Sequence, residues 1–183
     1  MTYTMPTMMT PVQVDDLIEQ CTIEAALGLF LSCSVCLEYV DATDGVVISD
    51  LELCGLVGFV GREISGTLLL ATTAEPLSAS NRVAARGRDW MAELSNQLFG
   101  RIKNRLLRRG LELIGTPPAV IGGDHLVAFT GRRTPCQPIV LRSEKGGRVC
   151  IWMDYAMQSA LPFALSDGEP GAHIPVEGEM LFF

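Results

Sequence analysis

The sequence predicts an α+β fold, a two-layer sandwich in which long helices pack on one face of a largely antiparallel sheet. Three observations predict it. Apolar residues recur at helical spacing in two long stretches, one near each side of a run rich in Val, Ile, Leu and Thr. That run and a later one are punctuated by Gly, as short strands joined by tight turns are. The turns are too short to hold crossover helices, which favours antiparallel neighbours and leaves the helices together on one side. With 183 residues, 48% of them hydrophobic, the chain has enough apolar material for a single core.

The elements follow in order. Residues 1–11 are rich in Thr, Met and Pro and are expected to be a flexible N-terminal segment. A first helix is expected from Val12 to about Leu37, with Asp15 and Asp16 in its first turn, where acidic groups favour the helix dipole. Three strands are expected near 46–52, 54–62 and 64–72. A short helix over 74–79 precedes a long one over 83–109, which Gly110 is placed to stop. Pro117 and Pro118 remove ladder donors, so the segment around them is an edge strand or an extended linker. Further strands are expected near 124–130, 136–143 and 147–155, the last two joined by a hairpin at Ser-Glu-Lys-Gly-Gly. The domain thus spans 12–157, and the Pro- and Gly-broken segment 158–183 is an extension.

Net charge is −7 and the isoelectric point near 4.8, which opposes a general affinity for nucleic acid or anionic lipid. Eight of the fourteen basic residues nevertheless fall between Arg82 and Arg109. They form either a solvated helix face or a surface that steers an acidic protein. A nucleic-acid reading lacks the interleaved exposed aromatics that base stacking needs. The longest uncharged apolar run, Ala25 to Leu37, is too short for the roughly 20 residues of a membrane span, and the start has no basic leader, so a cytoplasmic location is expected. The six cysteines sit among aliphatic neighbours and read as reduced, buried hydrophobes, and Cys33-Ser-Val-Cys36 has no second pair at zinc spacing. Neither a metal site nor a nucleophilic triad is expected, there being only two histidines, His125 and His173.

The chemistry concentrates on the long helix. At about 100° per residue, Met91, Leu98, Phe99, Ile102 and Leu106 share one face, and Asp89, Glu93, Asn96, Gly100 and Asn104 share the opposite one. Asn is a mediocre helix former, and Gly costs about 1 kcal/mol relative to Ala in a helix interior. Asn96, Gly100 and Asn104 therefore oppose the helix that carries them, which a face selected for stability alone would not do. Gly100 leaves a gap either for another body or for a crossing element of this chain, such as the first helix or the C-terminal segment.

The run D-W-M-A-E-L-S-N-Q-L-F-G-R, followed by I-G-T-P-P-A-V-I-G-G, resembles the chemotaxis phosphatases of the CheC/CheX family, the single-site CheX branch most of all. The matching positions are Glu93, Asn96, Gly100, Thr116, Pro117, Pro118, Val120 and Gly123, and the order of elements agrees over about 12–157. CheC-type members carry two E-x-x-N signatures; here the first helix offers Glu19 and Glu24 but no Asn. Ser95 departs from the Gly usual between Glu and Asn and is expected to restrict close approach mildly.

The resemblance implies a phosphatase acting on the aspartyl phosphate of a CheY-like response regulator. Asn96 would position the attacking water and Glu93 would pair with a Lys of the regulator, with Asp89, Gly100 and Asn104 as partner contacts. No cofactor of the protein's own is implied, Mg²⁺ being supplied by the regulator. A homodimer formed by sheet pairing is also implied. The competing expectation is a non-catalytic module of the same fold that binds a receiver domain or a flagellar partner without hydrolysis.

Overall fold

The computed structural model describes residues 8–40, 51–81, 86–123, 137–157 and 163–164. Among these described residues, three helices and nine strands succeed one another: β1 (Met8–Met9), α1 (Pro11–Ser32), β2 (Leu37–Val40), β3 (Leu53–Gly61), β4 (Ile64–Thr72), α2 (Ala74–Ser80), α3 (Gly87–Leu107), β5 (Leu113–Gly115), β6 (Ala119–Gly122), β7 (Ile139–Ser143), β8 (Arg148–Met157) and β9 (Phe163–Ala164). Strands β2 to β8 form one seven-stranded sheet in the order β2-β7-β8-β4-β3-β5, with β6 also paired to β3, and every pair is antiparallel. The expected α+β architecture is what the chain adopts.

Alternation along the strands divides the sheet into two faces. Val57 and Phe59 of β3, Ile64, Leu68 and Leu70 of β4, and Val149, Ile151, Met153 and Tyr155 of β8 join the main core with the buried faces of α1 and α3. The opposite face carries a smaller apolar cluster of Leu51, Cys54, Ala71, Val140, Cys150 and Trp152.

The first helix departs from expectation at both ends. It begins at Pro11 because Thr10 caps it: the Thr10 hydroxyl accepts from the Gln13 amide, and the Gln13 side chain accepts from the Thr10 amide at 2.8 Å. Asp15 and Asp16 therefore lie past the first turn, and Asp15 instead accepts a hydrogen bond from the Tyr155 hydroxyl, tying α1 to β8. The helix ends at Ser32 rather than near 37. Ser34 adopts a left-handed conformation, φ 63°, and the Val35 amide turns back onto the Phe30 carbonyl at 2.9 Å. The chain released there forms β2, an unexpected strand paired with β7.

Strands β3 and β4 agree with expectation, and Gly146, φ 83°, turns the β7–β8 hairpin. The expected strand at 124–130 and residues 46–50 of the expected 46–52 strand lie outside the described residues. Leu51 and Glu52 are not part of a strand. Both readings of the proline segment hold in part: β5 and β6 each pair with β3, and Pro117 and Pro118 interrupt the edge between them. Thr116 bridges the interruption, its amide donating to the Gly58 carbonyl at 2.8 Å and its hydroxyl accepting from the Gly58 amide at 3.0 Å. The terminal segments also meet, β1 pairing with β9 beside the start of α1.

Candidate functional site

Helix α3 is held to the sheet by one apolar side. Met91, Leu94, Leu98, Ile102 and Leu106 are fully buried, and Phe99 stacks on Phe59 with ring centroids 6.0 Å apart. Its end is sharp: Gly110 takes φ 82°, and the Leu111 amide returns to the Leu106 carbonyl at 3.0 Å. A helix fixed along its whole length turns the opposite stripe outward as a rigid ridge. Asp89, Glu93 and Asn96 are exposed, while Gly100 and Asn104 are partly exposed. The five residues singled out in the sequence thus lie on one outward face.

The ridge stands close to the sheet for a specific reason. Ser95, completely buried, lies against Gly55 of β3: a methyl carbon on Gly55 would overlap the Ser95 hydroxyl and stand 3.0 Å from its Cβ. The hydroxyl satisfies itself by donating to the Met91 carbonyl one turn back, at 2.7 Å. The expectation that Ser95 limits the approach of a partner is therefore corrected: Ser95 faces the sheet, where its small size lets the helix seat deeply. The helical angle that groups Ser95 with Leu98 and Ile102 is the signal for this.

On the outward side, no described element crosses at Gly100: a Cβ there would meet nothing within 4 Å among the described residues, α1 included, whereas the C-terminal segment lies outside the described residues except for residues 163–164. The Asn96 amide makes no hydrogen bond within the described residues, leaving its donors and acceptor available. Glu93 accepts a hydrogen bond from the Gln97 amide nitrogen at 2.6 Å, a pairing not anticipated from the sequence although the i, i+4 spacing could have revealed it. Basic residues gather further along: Arg105 lies 3.7 Å from Glu24 of α1, and Arg101 donates to Ser32 at 3.3 Å. Part of the basic cluster therefore serves to join α1 and α3. The ridge thus presents a carboxylate, an amide with no hydrogen bond among the described residues, and a notch one turn away, side by side on one exposed face.

Solved structures share this architecture. Chemotaxis protein CheX from Vibrio vulnificus is similar with a TM-score of 0.66 at 15% identity, covering 76% of this chain and 96% of that one. The chain has the CheX/CheC-like fold. A CheC-like superfamily protein from Shewanella gives a TM-score of 0.60 at 19% identity, over 76% of this chain and 97% of its own. FliY from Thermotoga maritima gives a TM-score of 0.52 at 11% identity, over 80% of this chain and 92% of its own. No protein-family model and no curated protein matches the chain.

Within this CheX/CheC-like fold, α1 offers no second signature. Glu19 and Glu24 are exposed, but Glu24 is engaged by Gln20, at 3.0 Å, and by Arg105. Among the described residues, no group of three or more His, Cys, Asp or Glu could hold a metal, and no helix is long and apolar enough to cross a membrane. His125, His173 and Cys136 lie outside the described residues.

Cys33 is buried as expected, at the C-cap of α1, but Cys36 is not: α1 ends before it, and it lies exposed beyond the helix. Burial pushes the Cys54 and Cys150 thiols up to about 11, and it raises Cys21 together with the nearby Glu24 charge. A raised value keeps the thiol protonated and unreactive below it. At pH 8, iodoacetamide should label Cys36 rapidly and leave Cys54 and Cys150 unmodified until the fold is opened by denaturant. Peptide mass spectrometry after timed quenching reads the difference.

Proposed function

We propose that this chain is a phosphatase for the aspartyl phosphate of a CheY-like response regulator, with Asn96 placing the attacking water and Glu93 docking on a regulator Lys. The observation that supports it most is the pairing of exposed Glu93 and Asn96 on the rigid outward ridge of α3, with open space at Gly100. An acyl phosphate is already a reactive bond, and the regulator brings its own Mg²⁺ and Lys, so the added protein has mainly to align a water with phosphorus. A neutral amide suits that role because it donates and accepts without bringing a charge near the phosphoryl oxygens. Asp89 and Asn104 extend the contact along the same face. A cytoplasmic homodimer, assembled through a sheet edge, belongs to the same reading, and light scattering in solution tests the dimer.

The direct test is phosphate release from CheY-like receivers phosphorylated with acetyl phosphate. The proposal requires faster release with the protein than without it; binding without acceleration would favour the non-catalytic module. Gly100→Ala separates stability from recognition. It should raise stability by about 0.5–1 kcal/mol, because Ala is the better helix former and the Cβ meets nothing. It should also raise KM, because the notch is filled. Thermal unfolding and steady-state kinetics on one preparation check both signs.

A further inference from the structure

Resting on the phosphatase reading, we propose that Gln97 is a positioning residue, which fixes the Glu93 carboxylate for a cationic partner group without neutralising it. The Gln97 amide nitrogen donates to Glu93 Oε1 at 2.6 Å from one turn further along α3. A free Glu side chain samples several rotamers, all but one of which are lost on docking. Anchoring one oxygen before the encounter removes that cost and leaves Oε2 to receive the partner's cation.

The choice of Gln is what makes the contact more than a helix-stabilising pair. The neighbours of Glu93 three and four residues away are Asp89, Trp90, Asn96 and Gln97. None is basic, although α3 carries Arg88, Arg101, Lys103 and Arg105 elsewhere. A Lys or Arg at 97 would form the usual i, i+4 ion pair and compete with any incoming cation. An amide orients through a hydrogen bond while the carboxylate keeps its full charge, and exposed Asp89 one turn before adds to the negative potential. This arrangement fits a Lys or Arg at the rim of the partner's pocket and discriminates against a partner with an acidic rim.

The test measures kcat and KM for release of phosphate from an acetyl-phosphate-treated CheY-like receiver. Gln97→Met keeps the length of the side chain and removes the donor. It should raise KM about threefold to tenfold, the range for ordering one flexible side chain, with kcat within about twofold of the parent. Gln97→Lys should raise KM further, and added salt should narrow its gap from the parent. In a Glu93→Ala background, Gln97→Met should add nothing. An unchanged KM in Gln97→Met, or independent effects of the two substitutions, would overturn the inference while losses in Asn96→Ala and Glu93→Ala left the phosphatase reading standing. If those two variants also retained full activity, the reading itself would fall and this inference with it.

Discussion

Asn96→Ala is expected to lower phosphate release by about 100-fold or more while the protein still binds the receiver. Aligning a water with the reacting bond is an orientational contribution, and misplacing a reactant by about 1 Å already costs on the order of 100-fold. Binding should persist because Glu93, Asp89 and the Gly100 notch are untouched. The fold should not suffer either. Asn96 is exposed and makes no side-chain hydrogen bond among the described residues, and Ala is a better helix former by up to about 0.7 kcal/mol. A variant that is inactive, at least as stable as the parent and competent to bind is difficult to explain except by direct participation in the reaction. Affinity for a receiver carrying beryllofluoride, measured by calorimetry, separates the binding step from the chemical one.

Gly55→Val is expected to act on the same site from beneath. Valine is a strong strand former, and propensity alone would favour it by up to about 1 kcal/mol. The added methyls, however, would meet Ser95, whose Cβ is 3.0 Å from the new carbon, and Met91, whose Cγ is at 3.3 Å. Ser95 could rotate its hydroxyl away only by giving up the bond to the Met91 carbonyl. Overpacking a close helix–sheet contact costs about 1–3 kcal/mol, so the clash outweighs the propensity and the net effect is destabilising. The ridge should also lift or tilt, raising KM more than the stability loss alone would. Ser95→Gly in the same chain should restore much of both, which denaturant unfolding and kinetics of the double variant would show.

The outward stripe is legible in the sequence because it depends only on helical periodicity and on a strong apolar face opposite. Strands β3 and β4 are legible for a similar reason, their runs of Val, Ile, Leu and Thr punctuated by Gly reading as strand. What the sequence hides depends on single backbone conformations or on distant pairing. Nothing in the uncharged run after Ala25 announces that Ser34 turns left-handed, so the end of α1 and strand β2 are hidden together. The two-residue strands β1 and β9 are defined only by each other and have no local signal. Ser95 misleads because its position between Glu93 and Asn96 draws attention outward, whereas its partner Gly55 is forty residues away by sequence.

If the outward edge of α3 enters the phosphorylation pocket of a receiver domain with Asn96 foremost, a structure of the complex shows it most directly. The receiver would be CheY-like and carry Mg²⁺ and beryllofluoride. The Asn96 amide is then expected within reach of one bridging water from the fluorides, and Glu93 Oε2 against a receiver Lys. A complex in which α3 lies away from that pocket, or in which Asn96 faces solvent while another element approaches the beryllofluoride, would contradict it.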